Sequence, residues 1–139
     1  LHGSSAASDV YKRQGLSICY DVRFPELFKA LRLAGAQVIV VPAAFTAVTG
    51  AAHWEILLRA RAIETQCWIL ACGQTGTHPC GRQTWGHSMV IDPWGSVHQQ
   101  LNDQVGLLVA EIDLSHNQQV RQNMPLTQHS RFQNELKRK

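Results

Sequence analysis

Three short apolar runs, Leu16–Cys19, Val38–Val41 and Trp68–Cys72, alternate with stretches of helical spacing, and this alternation constrains the fold more than any other feature of the chain. Each run is too short for a helix. Val38–Val41 is wholly β-branched and closes at Pro42, the pattern of a central strand buried on both faces. Between the first two runs, Pro25 stands where a first helical turn tolerates it. Leu27, Phe28, Leu31 and Ala34 then recur at helical spacing before Gly35, a natural stop, which predicts a helix over Pro25–Leu33. After a loop over Pro42–Ala52, His53–Gln66 is the clearest helix. Ile56, Leu57, Ala60 and Ile63 form its apolar face, and Glu55 and Arg59 make an i,i+4 pair on the other.

Downstream, Gly73–Arg82 is rich in Gly, Thr and Pro and reads as a loop. Thr84–Ile91 is strand-like, and Asp92-Pro93-Trp94-Gly95 is a turn sequence that folds it back on Ser96–Gln99 as a hairpin. Val105–Ile112 supplies a further strand, and from Ser115 the chain is a polar, basic arm, extended or helical. The order of elements argues for an α/β fold, a mixed sheet with helices on one face. Its other face then needs cover, which an N-terminal half upstream would supply.

With 139 residues and 45% hydrophobic composition, the chain can bury one core, and two independent domains are not expected. The net charge of +3 is mild and its basic residues are scattered apart from Lys137, Arg138 and Lys139, so nucleic acid is not an expected partner. No run approaches the roughly eighteen apolar residues that a membrane helix needs. Cysteines at 19, 67, 72 and 80 are too sparse for a disulfide scaffold and read as thiols of a reducing, cytoplasmic compartment. As zinc ligands, Cys67, Cys72, His78 and Cys80 lack the tight paired spacing of structural sites, so no metal is expected.

Ser4–Gln14, SSAASDVYKRQ, is the codon-by-codon translation of a transposon-end sequencing adapter. Residues 1–14 are therefore expected to be non-native, and 15–139 to be the natural segment.

Cys19 ends an apolar run just ahead of a helix start. There, outward backbone N–H groups can lower a thiol pKa and bind an oxyanion, although local pattern alone favours a small buried hydrophobe. Arg23, four residues on, has the bidentate fork that grips a carboxylate, or it pairs structurally with Asp21 or Glu26. Phe45 follows a strand end, where α/β sheets line their pockets. Thr49 precedes Gly50, where turn chemistry alone also explains it. Trp54 and Glu55 are read as fixing the helix against the loop, and His87 as part of a strand rather than a base.

The strings GLSICYDVRFPEL, PAAFTAVTGAAHWEILLRARAIETQ and WGHSMVIDPWG follow one another across Gly15–Arg131. They resemble the nitrilase superfamily of carbon–nitrogen hydrolases, and within it the branch holding deaminated glutathione amidases and omega-amidases. The resemblance implies an α-β-β-α sandwich, here its C-terminal half. It implies that Cys19 attacks an amide carbonyl to form a thioester, that the backbone N–H of Tyr20 is half of the oxyanion site, and that Arg23 and Thr49 hold a substrate carboxylate. The family's general-base glutamate and its lysine lie upstream of the cysteine. Lys12 falls in the adapter string and Glu26 on the wrong side of Cys19, so this segment alone is expected to be inactive. No cofactor is implied; a small amide substrate and a homodimer or higher homo-oligomer are, with Asn117–Arg131 reaching a partner. N-carbamoyl amidase, nitrilase and a catalytically silent scaffold are the competing readings.

Overall fold

The structure is a computed structural model and describes residues 14–133. The adapter string, apart from Gln14, and the basic cluster Lys137–Lys139 lie outside the described residues.

Five strands form one mixed sheet: β1 (Gln14–Leu16), β2 (Val38–Ala43), β3 (Trp68–Gly73), β6 (Met89–Ile91) and β7 (Val97–Gln100), in the order β1-β2-β3-β6-β7. The first three are parallel, and β6 and β7 add antiparallel to β3. Parallel neighbours need crossovers, and these are the helices α1 (Pro25–Leu33) and α3 (Glu55–Thr65). Both pack on the sheet face presented by Ile39, Val41, Ile69, Ala71 and Ile91, with Val22, Phe28, Trp54, Leu58 and Ala62 completing the core. A second pair, β4 (Thr75–Thr77) and β5 (Gln83–Trp85), forms a separate hairpin. α4 (Leu114–Asn123) crosses the N-terminal ends of β2 and β3, where the Asn117 amide donates to the carbonyls of Gln37 and Gln66. The short α5 (Leu126–His129) follows it.

The helix over Pro25–Leu33 forms as expected, ending at Gly35, whose φ of 104° needs no Cβ. The Glu55–Arg59 pair forms at 3.3 Å, and the Asp92–Gly95 turn joins β6 to β7.

Other expectations need correction. Of the run Leu16–Cys19 only Leu16 is in a strand, at the end of β1, and β1 lies at the edge of the sheet among the described residues: Gly15 and Ser17 turn inward, while Leu16 and Ile18 are 70% and 64% exposed. β2 is central, yet only Ile39, Val41 and Ala43 are sealed, because no layer covers the opposite face among the described residues. Pro42 does not end the strand. The Val40 carbonyl accepts from Ser17 N–H on the β1 side, so Pro42, two residues on, faces past the end of β1 where no donor is required.

The helix expected from His53 starts at Ala47, as α2 (Ala47–Thr49) and a π turn (Gly50–Trp54) that run into α3. Its buried stripe is Leu58, Arg61, Ala62 and Thr65, whereas Ile56 is exposed. Two polar residues occupy that stripe with partners of their own, and this hides it from a hydrophobicity count. Gly73–Arg82 is not all loop, since β4 lies within it and pairs with β5. His87 is not in a strand: Gly86 and His87 have φ of 70° and 53° and break the chain between β5 and β6. Val105–Ile112 has no strand partner among the described residues and remains irregular, with Val105 and Leu107 almost fully exposed. The arm after Ser115 is helical in α4 and α5, as far as His129.

Candidate active site at the carboxyl ends of the parallel strands

Cys19 leaves β1 with φ 47°, in the left-handed region that a residue bearing a Cβ rarely occupies. Strain of this kind costs on the order of 1–3 kcal/mol and persists only where the surroundings enforce it. Here Asp21 does so: its N–H donates to the Ile18 carbonyl at 3.0 Å, and its carboxylate accepts from the Ile18 N–H at 2.9 Å. The result is a 3₁₀ turn, Cys19–Arg23. Arg61, buried in α3, donates from Nε to the Val22 carbonyl at 2.9 Å and pins the turn from beneath, while Glu64 holds the same guanidinium at 2.8 Å. Cys19 itself is half-buried against the core, and the Tyr20 N–H has no acceptor among the described residues.

Arg23 extends over two aromatic faces, 5.1 Å from the Phe45 ring centre and 5.3 Å from that of Tyr20. Its Nη1 lies 3.3 Å from His53 Nδ1. No carboxylate is within 4 Å of it among the described residues, so the pairing with Asp21 or Glu26 does not form and the guanidinium fork is left for another acceptor. Phe45 is buried against Trp54, 5.0 Å between ring centres, and Trp54 Nε1 donates to the His87 carbonyl at 2.9 Å. Trp54 therefore packs on Phe45 of the preceding segment, as expected, and also ties its helix to the 86–88 break, whereas Glu55 pairs with Arg59 within the helix. His87 stacks on Trp85, with Nδ1 against the Trp85 carbonyl at 2.6 Å. Thr49 shares a hydrogen bond with Thr46 between hydroxyls, 2.7 Å apart, and is half-buried.

The structure thus brings Tyr20, Arg23 and Phe45 together beside the Cys19 turn, at the carboxyl ends of β1 and β2. Thr49 sits one helical turn beyond Phe45 and is engaged by Thr46. Three contributors escaped the sequence reading: Asp21, Arg61 and His53. His53 had a local signal in its place ahead of Trp54 and Glu55, and Arg61 had one in Glu64 three residues on; the bonds of Asp21 and Arg61 that fix the turn go to backbone groups of Ile18 and Val22, which no side-chain pattern records.

Residues 4–122 match the carbon–nitrogen hydrolase family. The chain belongs to the carbon–nitrogen hydrolase family. The match begins inside the string read as adapter. Deaminated glutathione amidase of Yersinia enterocolitica is 49% identical over 149 aligned residues, covering 98% of this chain and 52% of the relative. Among solved structures, the NitFhit protein of C. elegans is 55% identical with a TM-score of 0.84, over 87% of this chain and 29% of that one. An amidase from Nesterenkonia sp. AN1, solved with covalent addition of the acetamide moiety of fluoroacetamide at its active site cysteine, is 31% identical with a TM-score of 0.66, over 84% and 43%. The chain therefore spans about half the length, or less, of the relatives it matches. Its mixed α/β fold is that of these carbon–nitrogen hydrolases, here as a five-stranded sheet with helices on one face and a separate two-stranded hairpin among the described residues.

Proposed function

We propose that this chain carries the nucleophile of an amidase that hydrolyses a small amide bearing a carboxylate, and that Cys19 is that nucleophile. The observation that carries the reading is the positive φ of Cys19 in a turn locked by Asp21 and Arg61, since strained residues held this firmly cluster where chemistry is done. The covalent adduct at the cysteine of the Nesterenkonia amidase supports it, as do the relatives named for deaminated glutathione.

In this scheme the Cys19 sulfur adds to the amide carbonyl, and the oxyanion takes the Tyr20 N–H as one donor. The C–N bond then breaks, nitrogen leaves as ammonia with the proton lost by the thiol, and water hydrolyses the thioester to a carboxylate. The general base and the second oxyanion donor are a glutamate and a lysine of the preceding part of the protein. Arg23 takes the substrate's distal carboxylate, with Thr49 and Phe45 shaping the pocket around it. The substrate class is deaminated glutathione or a related ω-amide of a keto acid. Residues 1–14 stand outside this scheme as adapter-derived, and the protein works as a homo-oligomer in the cytoplasm.

The test is ammonia release from α-keto-ω-amides by the full-length protein and by its Cys19→Ala variant. Activity should be abolished; undiminished release would remove Cys19 from the mechanism. A full-length gene lacking either the upstream glutamate or lysine would favour the silent scaffold instead.

A further inference from the structure

At the opposite end of the sheet from Cys19, beneath the N-terminal ends of β2 and β3, a notch of about 440 Å³ is walled by Arg32 of α1, Gln66 at the end of α3, Arg121 and Gln122 of α4, and Thr127 and Gln128 of α5. Its walls are tied together by the Gln66 amide, which donates to the Met124 carbonyl at 2.6 Å. A second tie is the Lys29 ammonium, which donates to the Ser130 hydroxyl at 3.0 Å.

Two guanidinium groups lie within one another's field here, without a counter-charge among the described residues. Among the described residues no carboxylate lies within 4 Å of either arginine. Arg121 donates from Nη2 to the Ala36 carbonyl at 2.9 Å and approaches the Cys67 sulfur at 3.4 Å, but its Nε–H is buried and has no acceptor. Arg32 makes no side-chain hydrogen bond, and its Nε–H is likewise buried and unpartnered. The pKa of Arg121 is lowered by burial and by the Arg32 charge. Two other buried polar atoms lack partners, Gln37 Oε1 and Asn117 Oδ1, but those residues do not line the notch. A site offering two like charges, side-chain amides and a hydroxyl, with no acid among the described residues, has the composition of an oxyanion receptor.

We propose that the Arg32–Arg121 notch binds a small free oxyanion of the phosphate or carboxylate class, at a site separate from the cysteine. The anion accepts from the terminal guanidinium N–H groups of the two arginines and offsets the repulsion between their charges. α4 and α5, which form two of the walls, are held more firmly to α1 when it is bound.

The experiment is titration calorimetry of the full-length protein with inorganic phosphate at constant ionic strength, repeated for Arg32→Gln and Gln128→Glu. Arg32 holds nothing else in place, so its removal leaves the fold intact, and Gln128 is exposed, so a carboxylate is tolerated there and repels the ligand. Saturable binding weakened at least tenfold by each variant, with thermal midpoints in phosphate-free buffer unchanged, supports the site. Absence of saturable binding to the parent protein, or equal affinity in both variants, overturns it. If Arg32→Gln lowers the phosphate-free midpoint and the parent binds no phosphate, a carboxylate of the polypeptide itself fills the notch, and the free-ligand proposal fails.

Discussion

A single backbone angle sets Cys19 apart from the other cysteines. Cys72 and Cys80 are exposed on ordinary backbone and Cys67 is sealed in the core, whereas Cys19 is half-buried at φ 47°. Arg23 has no carboxylate partner among the described residues and rests on two aromatic faces beside one imidazole. Replacing it with lysine keeps the charge and loses the planar fork. We expect kcat/KM of the full-length enzyme for carboxylate-bearing amides to fall about tenfold or more, mainly through KM, and an unchanged value would reassign Arg23 to structure. Cys67 makes a different prediction. Burial raises its pKa above the usual 9.0, against the lowering effects of its Thr65 hydrogen bond and of Arg121 and Arg32. As pH climbs through the ordinary thiol range, the unfolded chain releases a proton that the folded chain retains, so stability is complete below that range and declines as pH rises toward the folded pKa. Urea midpoints should therefore drop between about pH 8 and about pH 10, and less steeply in Cys67→Ala. Parallel slopes in the two proteins would show that another group governs the alkaline loss.

At the scale of elements, the decisive contact is between α3 and the 3₁₀ turn. Arg61 reaches the Val22 carbonyl from a position that is 4% exposed, packs its guanidinium 5.7 Å from the Phe28 ring centre, and keeps Glu64 as counter-charge. Arg61→Met preserves most of the volume and strands the Val22 carbonyl, a loss of about 1–3 kcal/mol. Chemical denaturation of the variant checks the magnitude. A far larger loss of amidase activity than of stability would show that the contact positions Cys19 as well as stabilising the fold. Helix boundaries in this region were half legible. Pro25, Gly35 and the turn at Asp92–Gly95 act through φ restriction and local hydrogen bonds, which a sequence carries openly. The start of α2 and the stripe of α3 were not legible, because Arg61 and Thr65 are buried through hydrogen bonds, Arg61 to the distant Val22 carbonyl and Thr65 to the carbonyl of Arg61.

For the molecule as a whole, local stability should follow how the two sheet faces are covered. One face carries the helices and the core. The other, with Leu16, Ile18 and Pro42 exposed, borders an apolar groove against the irregular 101–112 segment. Backbone amides of 105–112 have no ladder, so in the isolated chain they should exchange with solvent far faster than those of Ile39–Val41, which lie between two strands. Slow exchange at Leu107–Val109 would mean that this segment is paired after all. The alternation of Val105, Leu107 and Val109 is a real strand pattern; what it lacks among the described residues is a neighbour, and a strand is a property of two chains of backbone rather than one. Periodicity, restricted dihedrals and short strings are local, so the strand–helix alternation, the α1 boundaries, the β6–β7 turn, the strand-end position of Phe45 and the likeness that singled out Cys19, Tyr20, Arg23 and Thr49 were legible along the chain. Only the tertiary structure decided the strained turn at Cys19, the Arg61 clamp, the His53 contact to Arg23 and the paired arginines of the far notch, since each depends on backbone groups or charges brought together from distant parts of the chain.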